Sequence, residues 1–366
     1  MNKIFGGREK SYSSPLAQHS NRIYYLDIMR VVACFLVVLT HSQMSNKAEN
    51  GIYVAFLSFL CTPSSEMFLM LSGAILLPVH TDTQSFYKRR FLKLLPPMIF
   101  WSLFSIILRY IQGSSTIEAS FEKLIFLPFK PVEGVYWFLY VMVGLYLFAP
   151  IISQWLNNAS RKSVEFFLLI WMINMVLPWF ELFSPGFYHQ DGSYYWVFCN
   201  FGGFLGYWIL GYYLRKYSPT FRSPIGLAAI ALSAIYTIAV LYLKLKGVDT
   251  AVYTDNLQFG SAAFVSLLYI LLKALSDSNF GKKYLNRRFS VIAQYSFGIY
   301  LLHIFVIRDL VWTVFDNFRL YSHPIVEALL IALISMGVCM MLIIAVKKIY
   351  DPAGMWLFGV NKSKIR

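Results

Sequence analysis

The residues most suited to chemistry lie in the first apolar run of the chain. Arg30 and His41 are eleven residues apart, and Asp27 precedes Arg30 by three. On an α-helix this spacing is about three turns, so Arg30 and His41 should share one face, about 16 Å apart along the axis. Imidazole titrates near neutral pH and is nucleophilic, which makes His41 a candidate general base or nucleophile. A structural Asp27–Arg30 ion pair and an interfacial histidine are the alternative interpretations.

A second candidate site is a cluster of cations just before the third apolar run. Lys88, Arg89, Arg90 and Lys93 fall within six positions. Arg90 and Lys93 share a helical face, an arrangement that suits the phosphates of an anionic ligand. We therefore predict that Arg89, Arg90 and Lys93 bind such a ligand. Membrane topology alone would also explain a cluster of cations here.

Four further residues are candidates for the wall of a cavity. Glu66 lies in the second run, and Tyr300 and His303 form a polar stripe on the ninth. Polar side chains in hydrocarbon are costly, so we expect all three to line a cavity, with His303 at a depth similar to that of His41. Hydrogen bonds between helices would also explain the stripe. Trp137 completes the predicted cavity, although an aromatic residue near the end of a run can equally mark the membrane interface.

The elements that would position these residues are membrane-spanning helices. Of the 366 residues, 58% are hydrophobic and 14% are charged, whereas a soluble domain has about 25% charged residues. The apolar runs are continuous rather than alternating, and about 20 such residues span a bilayer as a helix. The sequence therefore predicts an all-α, polytopic transmembrane bundle of about ten spans. The runs cover approximately 24–43, 52–78, 94–112, 134–156, 165–183, 195–215, 223–244, 257–276, 290–310 and 324–348.

The basic residues indicate a membrane side rather than a surface for nucleic acid. The net charge is +14, and 22 of the 32 Lys and Arg residues fall on the predicted side of the N-terminus, against seven on the other side. Both termini are therefore predicted to be cytoplasmic. We expect a cytoplasmic segment at 1–23, a membrane domain at 24–348 and a cytoplasmic tail at 349–366. The four cysteines are scattered singly, which indicates neither a disulfide framework nor a metal site.

The motifs resemble those of membrane acyltransferase family 3, especially its single-domain members that acetylate surface polysaccharides. The family commonly shows Arg-x-x-Arg where this chain has Arg90 and Lys93. The similar elements follow one another in the expected order: Leu26-Asp27-x-x-Arg30 leading to His41, Phe68-Leu69-Met70-Leu71-Ser72-Gly73, the basic cluster before Pro96-Pro97, Tyr136-Trp137-Phe138-Leu139, and Ser296-Phe297-Gly298-Ile299-Tyr300-Leu301-Leu302-His303.

The resemblance implies a bacterial inner-membrane enzyme that moves an acyl group from acetyl-CoA or another acyl-CoA to a hydroxyl of a surface or lipid-linked glycan. The acyl-CoA is a co-substrate, and no permanently bound cofactor is implied. His41 would be catalytic, and Arg30, oriented by Asp27, would hold the donor with the basic cluster. The alternative is a glycan or lipid exporter without acyl transfer, since buried charges also serve transport. The paired repeats of many transporters are not evident in this sequence.

Overall fold

In a computed structural model, the chain forms a bundle of long helices. The structure describes residues 22–43, 51–183, 203–250, 252–318 and 324–360. Nine stretches of these residues are long and apolar enough to cross a membrane. The predicted all-α polytopic bundle is confirmed. The helices are α1 (Tyr24–Ser42), α2 (Gly51–Cys61), α3 (Ser64–Leu76), α4 (Thr83–Ile111), α5 (Ile117–Phe126), α6 (Trp137–Asn158), α7 (Arg161–Asn174), α8 (Leu205–Tyr217), α9 (Pro224–Leu245), α10 (Phe259–Asp277), α11 (Asn286–Ala293), α12 (Ser296–Phe305), α13 (Trp312–Phe318), α14 (Pro324–Ile349) and α15 (Asp351–Phe358).

Several of the predicted runs differ from the helices, including the ninth, which begins in α11 and continues in α12. The second run is divided into α2 and α3 at a turn over Thr62 and Pro63, because proline has no N–H to continue the hydrogen-bond ladder. The run at 195–215 is represented by α8, which is 13 residues long. The first part of that run, through residue 202, lies outside the described residues.

Helix α1 occupies a central position in the bundle. It contacts α3, α10, α11, α12 and α14, and Met29, Ala33 and Val38 on it are fully buried. The side chains that α1 buries are mostly apolar, as is typical of a helix inside a bundle. Arg30 and His41 lie on this single uninterrupted helix, so the predicted rise of about 16 Å between them applies.

The bundle has two ends that matter for the site. We call the end where α1, α4 and α12 begin the basic end, since Arg30, Arg90 and Lys93 lie there. The opposite end of α1 and α12 is the histidine end, where the rings of His41 and His303 meet.

Helices α3 and α8 pack unusually closely beside the core. A Cβ atom on Gly73 would lie 1.9 Å from the Trp208 carbonyl oxygen, and one on Gly211 would lie 1.9 Å from the Met70 carbonyl oxygen. Only glycine allows two helix backbones to approach to this distance. The α3–α8 pair therefore forms a tight wall, and α3 carries one side of the cavity described below.

The packed part of the chain extends beyond the predicted boundary at residue 348. Helix α15 folds back against α4, α12 and α14, and the Trp101 indole N–H donates to the Leu357 carbonyl oxygen at 2.7 Å. Phe358 and Val360 are buried in the core. This short helix therefore belongs to the bundle, and it covers the basic end.

Candidate active site

A cavity runs between α1, α3, α4, α6 and α12, from the basic end toward the middle of the bundle. Its volume is about 210 Å³. Cations line it near the basic end, and aromatic and aliphatic side chains line the remainder. The lining residues are Arg30, Phe68, Leu71, Ser72, Ile75, Leu76, Arg90, Phe138, Met142, Tyr146, Ser296, Phe297 and Tyr300. Such a cavity suits a ligand with an anionic head and a slender tail.

Arg30 contributes its guanidinium to the cavity and forms an ion pair with Asp27. The Arg30 Nη1 to Asp27 Oδ1 distance is 3.2 Å, and the Arg30 side chain is 30% exposed. The other Asp27 oxygen accepts from Arg22 Nε at 2.6 Å, and Arg22 also donates to the Ser290 carbonyl oxygen. Asp27 is thus shared between two arginines, so its single negative charge leaves the pair with a net positive charge.

Arg90 and Lys93 lie together, as their helical spacing predicts. Arg90 lines the main cavity, and both residues line a small adjoining cavity of about 80 Å³ with Tyr146 and Phe297. Within the part of the chain that the structure describes, no carboxylate forms an ion pair with either cation. Arg89 does not join them, because its Nε donates to the Ser85 carbonyl oxygen and its side chain is exposed. Two of the three predicted donor-binding residues therefore face one space.

His41 and His303 meet at the histidine end, on α1 and α12. Their ring centroids are 5.2 Å apart with a 43° angle between the planes. His303 Nδ1 lies 2.6 Å from the Tyr300 carbonyl oxygen. Because a carbonyl oxygen only accepts, Nδ1 carries the proton and Nε2 keeps a lone pair. That Nε2 is buried and has no hydrogen-bond partner among the described residues, whereas His41 is partly buried.

Tyr300 separates the cavity from the histidine pair. Its ring lines the end of the cavity, lies 5.8 Å from the His303 ring and 5.7 Å from the Phe138 ring. The Tyr300 hydroxyl donates to the Val135 carbonyl oxygen, and the Tyr136 hydroxyl donates to the Leu301 carbonyl oxygen at 2.9 Å. These two bonds tie α12 to the segment that precedes α6. The cavity therefore ends one ring away from His303 and two rings away from His41.

The structure places three of the predicted cavity residues outside the cavity walls. His303 is behind Tyr300, as described above. Glu66 is fully buried in the first turn of α3, and neither of its carboxylate oxygens has a hydrogen-bond partner among the described side chains and backbone. Trp137 packs on Phe204, with ring centroids 5.2 Å apart. Tyr300 is the member of the predicted set that reaches the cavity.

A network of four charged residues at the histidine end was not anticipated from the sequence. Arg109 pairs with Asp309 at 2.9 Å, and Arg308 pairs with Glu133 at 3.1 Å. Glu133 also lies 3.6 Å from Arg109 and accepts from Ser105 Oγ at 2.5 Å. These residues come from three separate segments, so no local spacing links them. Charged residues at the edges of apolar runs were the available signal, and it did not identify partners.

Comparison with known proteins identifies the family of the chain. The chain matches the family described as an acyltransferase domain over residues 23–344. It is 24% identical over 299 residues to YfiQ of Bacillus subtilis (strain 168), a protein named as a membrane-bound acyltransferase, covering 76% of this chain and 79% of that one. No solved structure matches the chain. The matched region includes α1, the basic cluster and the α12 histidine, and the chain belongs to this acyltransferase family as a multi-pass membrane acyltransferase.

Proposed function

We propose that this acyltransferase moves an acyl group, as in O-acetyl transfer, from acyl-CoA to a hydroxyl of a surface or lipid-linked glycan. The observation that carries the proposal is the cavity that joins Arg30 and Arg90 to Tyr300, beside the His41–His303 pair. Donor and acceptor would approach from opposite ends of the bundle. The basic end would then be cytoplasmic in a bacterial inner membrane, with both termini on that side.

The donor end is supported by charge that the protein leaves unmatched. Arg90 and Lys93 have no carboxylate partner in the described residues, and the Arg22–Asp27–Arg30 group retains a positive charge. Phosphates of an acyl-CoA would supply the missing negative charge through charge-assisted hydrogen bonds. Lys93 would act as a point charge, because ammonium lacks the planar fork of arginine. Aromatic rings of Tyr146 and Phe297 beside these cations would cover the donor.

The reach of the donor also fits the cavity. Arg30 and His41 are about 16 Å apart along α1, and an extended pantetheine arm is of the same order of length. A donor held by its phosphates at the basic end would carry its thioester to Tyr300, at the end of the cavity. Because Tyr300 stands between this point and His303, its side chain would have to rotate to admit the acceptor hydroxyl. The hydrogen bond to Val135 would hold the ring closed until then.

The chemistry would use the two histidines unequally. His41 would take the proton from the acceptor hydroxyl as that oxygen attacks the thioester carbonyl; the C–S bond breaks, and the thiolate leaves and takes the proton. His303 would orient His41. Its own Nδ1 donates to a backbone carbonyl oxygen, so its Nε2 lone pair could accept a hydrogen bond from the His41 ring N–H. A transient acyl group on His41 is the variant of this mechanism that a two-step transfer would require.

The test is acyl transfer with membranes that contain the full chain. Membrane vesicles would be incubated with acyl-CoA labelled in the acyl group and then separated into glycan, lipid and protein fractions. The proposal predicts label in an ester of the glycan or lipid-linked glycan, and loss of that ester from the surface glycans of cells that lack the protein. Movement of glycan or lipid across the vesicle membrane without label incorporation would instead establish an exporter.

A further inference from the structure

A second cavity lies between α7, α8, α9 and α10 and shares no lining residue with the first. Its volume is about 300 Å³. Small side chains make room for it, since four alanines on α9 and α10 face the space between larger aliphatic residues. The lining residues are Glu165, Leu168, Leu169, Trp171, Met172, Leu210, Tyr213, Ile225, Ala228, Ala229, Leu232, Ala262, Ala263 and Ser266. We call this cavity the side groove.

The side groove is apolar along its length and polar at one end. Glu165 and Tyr213 close the polar end, where the Tyr213 hydroxyl donates to the Glu165 carboxylate. From Glu165 to Met172 the groove follows seven residues of α7, which is about 10 Å along the axis. Leu169 in its wall and Leu227 beside it are each 57% exposed. An apolar opening of this kind faces the hydrocarbon of the bilayer.

Cations and aromatic rings surround the polar end. Arg161 pairs with Glu165 at 2.8 Å and donates to the Tyr213 hydroxyl at 3.2 Å. Its guanidinium lies 4.8 Å from the centre of the Tyr217 ring. Lys216 Nζ donates to the Tyr212 hydroxyl at 2.6 Å and lies 5.6 Å from the Tyr217 ring. Both cations are thus held at the rim, at the ends of α7 and α8 that form the basic end of the bundle.

The charges at this rim do not cancel. Arg161, Lys162 and Lys216 are cations within or beside it, whereas Glu165 is the carboxylate that lines the groove. Arg161 is 55% exposed even though it is paired, so it can take a further acceptor. A ligand with an apolar chain and an anionic head would match this succession of apolar wall and positive rim.

We infer that the side groove binds an anionic glycerophospholipid, with one acyl chain between α7 and α9 and its phosphate at Arg161 and Lys216. The inference is independent of the proposed acyl transfer, because the two cavities are separate. A zwitterionic lipid would fill the apolar part equally well but would gain less from the rim. Each basic residue near an anionic headgroup contributes about fivefold in affinity.

The experiment is native mass spectrometry of the purified full chain. The protein would be equilibrated with an equimolar mixture of phosphatidylglycerol and phosphatidylcholine with the same acyl chains. We expect the wild type to retain phosphatidylglycerol about 25-fold over phosphatidylcholine, because each of the two cations contributes about fivefold. Arg161→Gln should lower this ratio to about fivefold. Arg287→Gln removes the same charge at the same end of the bundle, from an exposed side chain on α11, and should leave the ratio as in the wild type.

A second pair of variants tests the apolar part of the groove. Ala228→Phe places a ring in the groove from its exposed side, and it should reduce retention of both lipids about equally. Ala234→Phe makes the same change on the exposed face of α9 outside the groove and should retain lipid normally. An unchanged lipid ratio in Arg161→Gln would overturn the inference. So would a wild-type ratio of one, or a dimer that forms through this face and excludes lipid.

Discussion

The two ends of the bundle handle charge in opposite ways. At the basic end, Arg90 and Lys93 face open space without a carboxylate partner in the described residues. At the histidine end, Arg109 and Arg308 are matched by Glu133 and Asp309. Arg90 is half-buried and Lys93 is exposed, so both can take an anionic ligand, whereas a matched set of charges holds segments together. We therefore expect the basic end to bind a ligand and the histidine end to hold its shape.

Removal of His41 should produce the largest change in activity. We expect His41→Ala to lower kcat for acyl transfer by about 100- to 10,000-fold, the range typical of a general base. The KM for acyl-CoA should change little, because the proposed phosphate site is at the other end of the bundle. The measurement is label transfer from acyl-CoA at saturating donor. His80→Ala changes an exposed histidine outside the cavity and serves as the control. Full activity in His41→Ala would refute its role.

Loss of a cation at the basic end should change affinity instead of rate. A hydrogen bond to a charged group contributes about 1.5–3 kcal/mol, so Arg90→Gln should raise the KM for acyl-CoA by about 10- to 100-fold. The kcat at saturation should stay within a few-fold of the wild type. Arg89→Gln removes the same charge one residue earlier, from an exposed side chain outside the cavity, and should have a much smaller effect. An equal rise in KM in both variants would mean that the cations act through their general charge at the membrane surface and not through a specific donor site.

The sequence predicted the parts of the site that lie on single helices. The Arg30–His41 spacing, the Asp27–Arg30 pair and the shared position of Arg90 and Lys93 all follow from helical periodicity, and the structure shows each of them. Contacts between helices were harder to predict from the sequence. The position of Tyr300 between the cavity and His303 depends on how α12 rotates against α6, and periodicity on one helix does not determine that rotation.

Glu66 is a second case in which a contact between helices decided the outcome. Its cost in hydrocarbon suggested a place on the cavity wall, but the close approach of α3 to α8 at Gly73 and Gly211 buries this face of α3 completely. The ion-pair network is a further example, because Arg109 and Asp309 are 200 residues apart in the chain. Charge type alone identified neither partner.

Loss of a carboxylate from the ion-pair network at the histidine end should lower the stability of the protein. Removing one partner of a buried ion pair costs about 3–5 kcal/mol, and we expect about 2 kcal/mol for Glu133→Gln because the pairs are partly exposed. The thermal transition of the purified protein should fall accordingly, while the KM for acyl-CoA stays unchanged. Glu122→Gln, at an exposed position on α5, is the control. A donor KM that rises with Glu133→Gln would erase the distinction between the two ends.

The smallest effect should come from removal of the hydroxyl of Tyr300, whose ring lies between the cavity and the histidine pair. Tyr300→Phe removes the donor to the Val135 carbonyl oxygen, and a lost hydrogen bond of this kind is worth about 1 kcal/mol. If that bond keeps the ring closed over the histidine pair, water should reach the thioester more often. Cleavage of acyl-CoA without acceptor should then rise about fivefold, with no change in the donor KM. Tyr140→Phe removes a tyrosine hydroxyl that also donates to backbone carbonyl oxygens, at Leu127 and Lys130, away from the cavity. The same rise in that variant would show that general loosening of the helices, and not the position of Tyr300, controls access to His41.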